Sequence, residues 1–525
     1  MKKENSRTKN TIYNFATSMG GQLLSILIHF IVRTVFIKTL GKSYLGINGL
    51  FANILTMLSL TEFGVGSAIL FKLYDPIAKK DKSRIVILLN FYKNVYRIIG
   101  LTITVLGLCL IPMLPTIIKD YNKLVSLNLN VYFIFLLYLA KTVSSYLFFA
   151  YKSAIIKADQ KAYIINMISY LFTIGGGIAQ IIFLLIIPKF EIYITISILQ
   201  VIFQNIAIAI IANKIYPFIT EKNVEKIEKK EIVEIIKDCG AIFLYKLNSV
   251  VLKATDNILL SIYIGLDGVA LYSNYYVFYT TIQTLFVKIF SSVSHSLGNL
   301  HTTHDIEHEY KIFEITNLIT AILGGTAFVG VFVVSDELVR VWIGKDWIIP
   351  QPFSFLLGLE LYTCACRESL GKYRSTMGLF QQAKWRPLFA MVINLATSIV
   401  LVKKWGLCGV LVGTILADWS TFMWFDPIII HRYGFGNYKS VYSYYQRLTL
   451  YTIIVLCFCS IDLFVARNIF IGKGWLSVII HALICGITVP IGLVAFMSGK
   501  QEGKYIITKI NYYISKFCNH IGKKA

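Results

Sequence analysis

Runs of twenty or more mostly apolar residues recur from one end of this 525-residue chain to the other. A bilayer's hydrocarbon core is about 30 Å thick, and a helix of about 20 apolar residues crosses it. Inside that core every backbone N–H and C=O must bond within its own segment, so such runs become helices. A transmembrane barrel would instead show alternating segments of about ten residues, a pattern missing from this sequence. The fold class that follows is all-α, a polytopic transmembrane helix bundle of about 14 spans. The expected spans are 12–37, 44–71, 88–111, 130–151, 162–187, 192–213, 238–263, 269–295, 312–334, 347–370, 385–402, 406–430, 446–466 and 474–497. Only 15% of the chain is charged, against about a quarter in a soluble chain, and no interval between spans has room for a soluble domain.

The net charge is +23. An excess of that size serves nucleic acid or an anionic membrane surface, and its placement favours the membrane. The basic residues sit in short clusters between apolar runs, as cytoplasmic loops do, and no soluble segment offers a folded basic face for nucleic acid. Most Lys and Arg fall in the termini and the loops after even-numbered spans, which places both termini in the cytoplasm. The clearest inside clusters are Lys79, Lys80, Lys82 and Arg84, then Lys222, Lys226, Lys229 and Lys230. Met1 to Asn10 is polar and basic, and the apolar run after it lacks a small-x-small cleavage site, so it reads as a retained span rather than a signal peptide. Residues 500–525 interleave six lysines with Tyr505, Ile506, Ile510 and Phe517, an amphipathic segment suited to the inner leaflet.

The longest charged loop stands between six spans and eight. Residues 36–50 read FIKTLGKSYLGINGL and residues 261–276 read SIYIGLDGVALYSNYY, with Gly41 matching Gly265. A repeat offset by six spans keeps its orientation, so the two copies would be parallel about an axis normal to the membrane. The expected organisation is two pseudo-symmetric six-helix lobes plus two C-terminal helices. It comprises an N-terminal lobe over 1–216, a cytoplasmic charged linker over 217–237 and a C-terminal lobe over 238–430. Spans 13 and 14 follow over 431–497, and a basic cytoplasmic tail over 498–525.

Charges within the spans carry the functional signal, because a charge facing lipid costs several kcal/mol. Arg33, Lys141, Lys246, Lys253, Lys288 and Arg367 are the positive ones; Glu62, Asp256, Glu360, Glu368, Asp418, Asp426 and Asp462 are the negative ones. Arg33 either snorkels to the outer headgroups or binds an anion in a central cavity, where its planar fork suits phosphate. Lys246, Lys253, Asp256 and Asn257 share one face of span 7, as an ion pair locking two helices or as the lining of a transport cavity. Glu62 (beside Gly64 and Gly66), Asp256 and Asp418 are each either a proton- or sodium-coupling carboxylate or a partner for a neighbouring donor. Asp426 and Glu368 fall near cytoplasmic ends, where ordinary interfacial placement accounts for them. The nine cysteines, including Cys364, Cys366, Cys457 and Cys459, lie mostly in apolar runs and read as small hydrophobes rather than metal ligands or a disulfide framework. His301, His304 and His308 form a solvated loop without the arrangement of a zinc hydrolase. There is no complete phosphate-cradling loop of an ATPase, and no catalytic residue, metal or cofactor is expected.

Residues 33–69, RTVFIKTLGKSYLGINGLFANILTMLSLTEFGVGSAI, with LYDPIAKKD at 73–81, KATDNILLS at 253–261, IGLDGVALYSNYY at 264–276 and WIGKDW at 342–347, resemble the polysaccharide-repeat-unit flippases of the Wzx type. These belong to the superfamily that includes multidrug-and-toxin extrusion transporters and the lipid II flippase. The resemblance runs over nearly the whole chain, and its first motif is similar to Gram-positive capsule and exopolysaccharide members. It implies two lobes around a central cavity and movement of an undecaprenyl-diphosphate-linked oligosaccharide from the inner to the outer leaflet, with no enzymatic step on the sugar. It implies a polyprenyl-diphosphate-linked glycan and membrane lipids as partners, with glycosyltransferases and a polymerase of the same pathway beside them. It also implies a cell-membrane location in a Gram-positive bacterium. Arg33 and the face from Lys253 to Asn257 match positions that line the cavity in that superfamily.

Three other readings stay open at this point. An ion-coupled drug or metabolite exporter on the same fold would favour acidic cavity groups for cationic cargo, against the six basic intramembrane residues here. A membrane polysaccharide polymerase needs a substantial outer loop, whereas the longest outer segment, 112–129, carries only Lys119, Asp120 and Lys123 as charges. A non-transporting scaffold of glycan assembly would leave the charged intramembrane faces without a purpose.

Overall fold

A computed structural model describes the backbone of residues 2–521 apart from 63, 120, 122–123, 125–128, 221–226, 229–230, 236–246, 248–249, 251–253, 303–304, 380 and 469–473; side chains are described for the same residues apart from 2–19, 23, 293–296, 298–302, 513–514 and 516–521. Among the described residues there is no strand.

The first helix, Lys2–Leu40, crosses the membrane over Gly20–Leu40. Gly41, at φ 90°, turns the chain into a broken second span: Lys42–Leu58, a 3-10 turn Ser59–Glu62, and Val65–Lys79. Span 3 runs over Lys82–Ile117, and span 4 joins Val131–Leu147 to Ala150–Ala158 through a 44° bend. Spans 5 and 6 are Ala162–Ile186 and Phe190–Ile215. Span 7 is described as helix over 254–263. Spans 8, 9 and 10 are Leu266–Thr302, Ile306–Ile343 and Phe353–Thr376. The continuous assignment Arg386–Ile429 holds spans 11 and 12, because Gly406 at φ 55°, ψ −129° breaks it. Spans 13 and 14 are Val441–Asn468 and Trp475–Phe496, followed by the tail helix Gln501–Ile521.

Nine helices among the described residues are individually long and apolar enough to cross a membrane, and the bent pair of span 4 makes a tenth. Spans 8 and 10 are more polar, as helices turned toward other protein rather than lipid can be. The chain is a multi-pass membrane protein and an all-helical bundle, as expected from its apolar runs.

The chain divides into two compact units, Met1–Ala270 and Leu271–Ala525. In the first, span 1 lies along span 5 through the glycines of span 5. A Cβ on Gly177 would stand 2.6 Å from Ile28 Cγ1 of span 1, and one on Gly176 would stand 2.4 Å from Gln200 Oε1 of span 6, which packs on the same helix. Small residues let helices approach closely where no hydrophobic force drives them together. Leu73, Leu88, Ile155 and Ala212 bring spans 2, 3, 4 and 6 into one core. The described part of the charged loop is tied to this core, with Ile235 buried, Lys72 Nζ 3.2 Å from Glu234 Oε2 and Arg84 paired with Glu231.

Gly41 and Gly265, matched in sequence, both adopt positive φ, 90° and 113°. The turns they begin meet. Ser43 Oγ donates to Asp267 Oδ1 at 3.5 Å, and a Cβ on Gly46 would stand 2.2 Å from the carbonyl oxygen of Leu266. Lys119 Nζ donates to the Tyr263 carbonyl at 2.7 Å, and Ser261 Oγ to that of Ile117 at 2.9 Å.

In the second unit, Leu318, Val329, Val489 and Leu493 pack spans 9 and 14 with Tyr362 of span 10 and Tyr451 of span 13. Phe313, Tyr373, Ile430 and Phe435 form a second core. Cys364, Cys366 and Cys459 are buried, while Cys457 is exposed. The tail helix docks through Glu502, whose carboxylate lies 2.9 Å from Arg447 Nη1 while Arg447 Nη2 lies 2.7 Å from Glu314.

Candidate functional site

The first unit carries a cluster of nitrogen-bearing side chains within its spans, two of them cations. On span 1, Leu24, Leu27 and Ile31 are exposed on one side. At about 100° per residue, His29 and Arg33 fall on the opposite side, one turn apart. Arg33 is half-buried there and within electrostatic reach of Tyr193 on span 6. His29 is exposed and within electrostatic reach of Lys141 on span 4. Lys141 is half-buried, with no hydrogen bond or ion pair to a described residue. Tyr138, one turn before Thr142 on span 4, is buried and donates to Asn48 Oδ1 on span 2. Phe36 packs edge-on against Tyr193 at 4.8 Å and against Phe190 at 5.6 Å. Spans 1, 4 and 6 thus set three nitrogen bases among aromatic hydroxyls, an arrangement chemically suited to an anion.

Glu62 ends the 3-10 turn that breaks span 2. Its Oε1 accepts from Tyr96 Oη at 3.3 Å, and Tyr92 Oη donates to Tyr96 Oη at 2.5 Å. Tyr146 of span 4 closes the cluster, its ring 5.3 Å from that of Tyr96. Gly64 supplies the left-handed residue, φ 76°, from which the helix restarts. Gly66 leaves the space the carboxylate occupies: a Cβ there would lie 2.7 Å from Glu62 Oε1 and 2.8 Å from Tyr92 Oη. A break in a membrane helix exposes backbone groups that only protein or a wet cavity can satisfy.

On span 7, Asp256 and Asn257 are both buried, and Asn257 Oδ1 finds no hydrogen-bond donor among the described residues. Lys246 and Lys253 lie outside the described residues. In the second unit Asp418 pairs with Arg367, which also lies 4.0 Å from Glu360; Tyr279 Oη donates to Glu360 at 3.0 Å. Asp426 lies level with the end of span 10 and the start of span 11, but is buried there rather than solvated. It is 1% exposed, paired with Arg386 and 3.7 Å from Arg374 Nε, and the Arg386 guanidinium lies 4.0 Å over the Phe422 ring. The carboxylates proposed from sequence therefore fall into separate networks, Glu62 among tyrosines and Asp418 against an arginine. Among the described residues no group of three His, Cys, Asp or Glu is arranged to hold a metal ion.

Sequence reasoning passed over His29, Tyr193 and the Tyr92–Tyr96 pair. The two i, i+4 spacings, His29 with Arg33 and Tyr92 with Tyr96, were the available signal. The partners of Asp426 had none, since Arg374 and Arg386 are far from it in the chain.

No family model matches this sequence, and no curated protein does. Solved structures match it in fold. The lipid II flippase MurJ in an inward closed conformation superposes with a TM-score of 0.68 at 15% identity, over 93% of this chain and 99% of that one. An inward-facing multidrug resistance MATE family transporter of the MOP superfamily gives 0.58 at 13% identity, over 79% of this chain and 96% of that one. A point variant of the Vibrio cholerae MATE transporter VcmN gives 0.51 at 14% identity, over 82% and 99%. All three are transporters or flippases rather than enzymes. At these identities the common property is architecture: this chain has the helical fold shared by the MurJ flippase and the MATE transporters.

Proposed function

We propose that this protein is a flippase that moves an undecaprenyl-diphosphate-linked oligosaccharide repeat unit from the inner to the outer leaflet by alternating access, for cell-surface polysaccharide synthesis. The observation that carries this reading is the pair of cations Arg33 and Lys141, with the imidazole of His29 beside them, inside the first unit. A lipid-linked sugar diphosphate has an anionic head and a long apolar tail. Its head needs a wet, cationic, hydrogen-bonding chamber, while the tail stays in lipid. Arg33 supplies the phosphate-matching fork, Tyr138 and Tyr193 supply hydroxyls for sugar or phosphate oxygens, and Lys246, Lys253 and Asn257 of span 7 would contribute from the start of the second repeat. Two lobes, 1–216 and 238–430, would rock about this chamber, with spans 13 and 14 outside that motion. Support also comes from the neighbour whose own substrate is lipid-linked, MurJ, which matches 93% of the chain against 79% for the inward-facing MATE transporter. An exporter of cations is disfavoured by the basic residues within the spans, while Asp418 and Asp426 are paired with Arg367 and Arg386. The membrane potential assists export of an anionic head by about 2.3 kcal/mol per charge at 100 mV. Any proton or sodium coupling would use Glu62 or Asp256. The setting we infer is the cell membrane of a Gram-positive bacterium, both termini cytoplasmic, beside the glycosyltransferases and polymerase of the same pathway.

The test is leaflet exchange. Purified protein in sealed liposomes, with a fluorescent undecaprenyl-diphosphate oligosaccharide in one leaflet, should equilibrate the label, as scored by an impermeant quencher. Exchange no faster than in protein-free liposomes, with or without an ion gradient or potential, would overturn the proposal.

A further inference from the structure

A second cationic feature lies away from that cluster, at the cytoplasmic ends of spans 2 to 6. The segment after span 2, the turn between spans 4 and 5, and the end of span 6 enclose an open cleft of about 660 Å³. Its apolar lining includes Ile77, Ile85, Ile155 and Phe218, and its polar lining includes Lys80, Lys82 and Lys161. Among the described residues the only carboxylate in its wall is Asp159, and it is already occupied: Tyr216 Oη donates to it at 2.6 Å, and Lys161 Nζ lies 2.7 Å away. Lys80 and Lys82 have no carboxylate partner among the described residues. Lys82 stands 5.8 Å over the Phe218 ring and Lys161 5.4 Å over that of Tyr216. The aromatic faces thus hold two of the three ammonium groups over the cleft.

We infer that this cleft binds one anionic phospholipid of the cytoplasmic leaflet, its phosphate between Lys80, Lys82 and Lys161 and its glycerol and first acyl carbons on the isoleucines and Phe218. The inference rests on the cytoplasmic orientation proposed above and needs no transport step. A free phosphate would meet the lysines and leave the apolar wall uncovered; a neutral apolar molecule would leave two unpaired ammonium groups beside it. Only an amphiphile with a phosphate head satisfies both walls. Tyr and aromatic residues next to Lys at a span end are the usual furniture of the headgroup layer, and anionic lipids concentrate in the cytoplasmic leaflet.

The experiment uses full-length protein in neutral detergent, titrated separately with phosphatidylglycerol, phosphatidylcholine, sodium phosphate and undecaprenyl diphosphate. Bound lipid is counted by native mass spectrometry, and Tm is followed in parallel. The wild type should retain one phosphatidylglycerol in preference to phosphatidylcholine. Each lysine near an anionic head contributes about fivefold in affinity. Combining Lys80→Gln, Lys82→Gln and Lys161→Gln should therefore weaken retention roughly a hundredfold, and the three Lys→Arg changes should keep most of it. The control Lys79→Gln with Lys157→Gln, equal in sign but outside the cleft, should bind as the wild type does. Wild-type retention by the triple glutamine variant, or equal loss in the control, overturns the inference. So does inorganic phosphate binding with the same lysine dependence, which would make this a free-anion site. Displacement of phosphatidylglycerol by stoichiometric undecaprenyl diphosphate would also overturn it, by assigning the cleft to the cargo. Failure of the leaflet-exchange assay would leave this binding result untouched.

Discussion

Arg33 and Asp426 are both charges within the spans of a membrane protein, and their surroundings assign them opposite tasks. Asp426 is sealed between Arg374 and Arg386 at 1% exposure, so its charge is spent on holding spans 10, 11 and 12 together. Removing one member of a buried ion group leaves the others uncompensated, at a cost of about 3–5 kcal/mol. Asp426→Ala should therefore lower Tm in detergent and reduce the folded yield. A Tm equal to wild type would show that the arginines are hydrated. Arg33 is half-buried on the face of span 1 opposite Leu24, Leu27 and Ile31. Arg33→Gln should leave Tm within a few degrees of wild type and slow flipping about 10- to 100-fold, the loss of one charge-assisted contact of about 1.5–3 kcal/mol. Arg33→Lys should retain part of the rate, since it keeps the charge and loses the fork. Unchanged flipping in Arg33→Gln would return Arg33 to the snorkelling reading. The residue-level contrast was half legible. Arg33 stood out as a cation deep in an apolar run, but the burial and pairing of Asp426 had no local signal because its partners sit 40 and 52 positions away in the chain.

The elements of this protein were most legible where glycine marks them and least where nothing does. Gly64 and Gly66, which allow either close helix approach or a bend, stand where span 2 is broken, with Glu62 set among Tyr92, Tyr96 and Tyr146. The 44° bend of span 4 had no such flag: it falls at Phe149, a non-glycine residue at φ 57°, in a run of apolar residues without Gly or Pro. The matched glycines Gly41 and Gly265 pointed to a repeat, and both begin their helices from positive φ. The broken element of span 2 makes a prediction about coupling. A carboxylate at a helix break, hydrogen-bonded to phenols, can exchange a proton or hold a cation without unwinding more backbone. Transport by Glu62→Gln should then lose its dependence on the ion gradient. Gly66→Ala should do the same, because its Cβ would stand 2.7 Å from Glu62 Oε1 and displace it. Gly64→Ala should act differently. Its cost is the left-handed backbone, about 1–2 kcal/mol, so it should lower stability while leaving whatever gradient dependence remains. Wild-type gradient dependence in both Glu62→Gln and Gly66→Ala would place coupling elsewhere, with Asp256→Asn the next variant to measure.

At the scale of the whole molecule, orientation is set by no single residue but by the parity of the spans and the bias of Lys and Arg among their loops. Fourteen spans return the chain to the side on which it began, so both termini share a compartment. On the orientation we propose from the positive-inside bias, that compartment is the cytoplasm. Ser83 is exposed in the first helical turn of span 3, and Lys345 is exposed after span 9. Parity puts the two on opposite faces. The turn after span 2 is also continuous with the lysine-lined cleft, so its sidedness governs both the direction of flipping and the leaflet whose lipid that cleft would meet. The measurement is maleimide labelling of single cysteines in intact cells, in a background with the exposed Cys109 and Cys457 changed to serine. An impermeant reagent should label Lys345→Cys and Lys119→Cys without permeabilisation and should label Ser83→Cys only after it. The reverse pattern would invert the orientation and move the cleft to the outer leaflet. Labelling of Ser83→Cys and Lys345→Cys from the same side would break the parity and require an odd change in the number of spans between them. The two failures are separable because Lys119 follows span 3 and Lys345 follows span 9. An error in orientation flips all three sites together, whereas an error in count changes only those beyond the miscounted span.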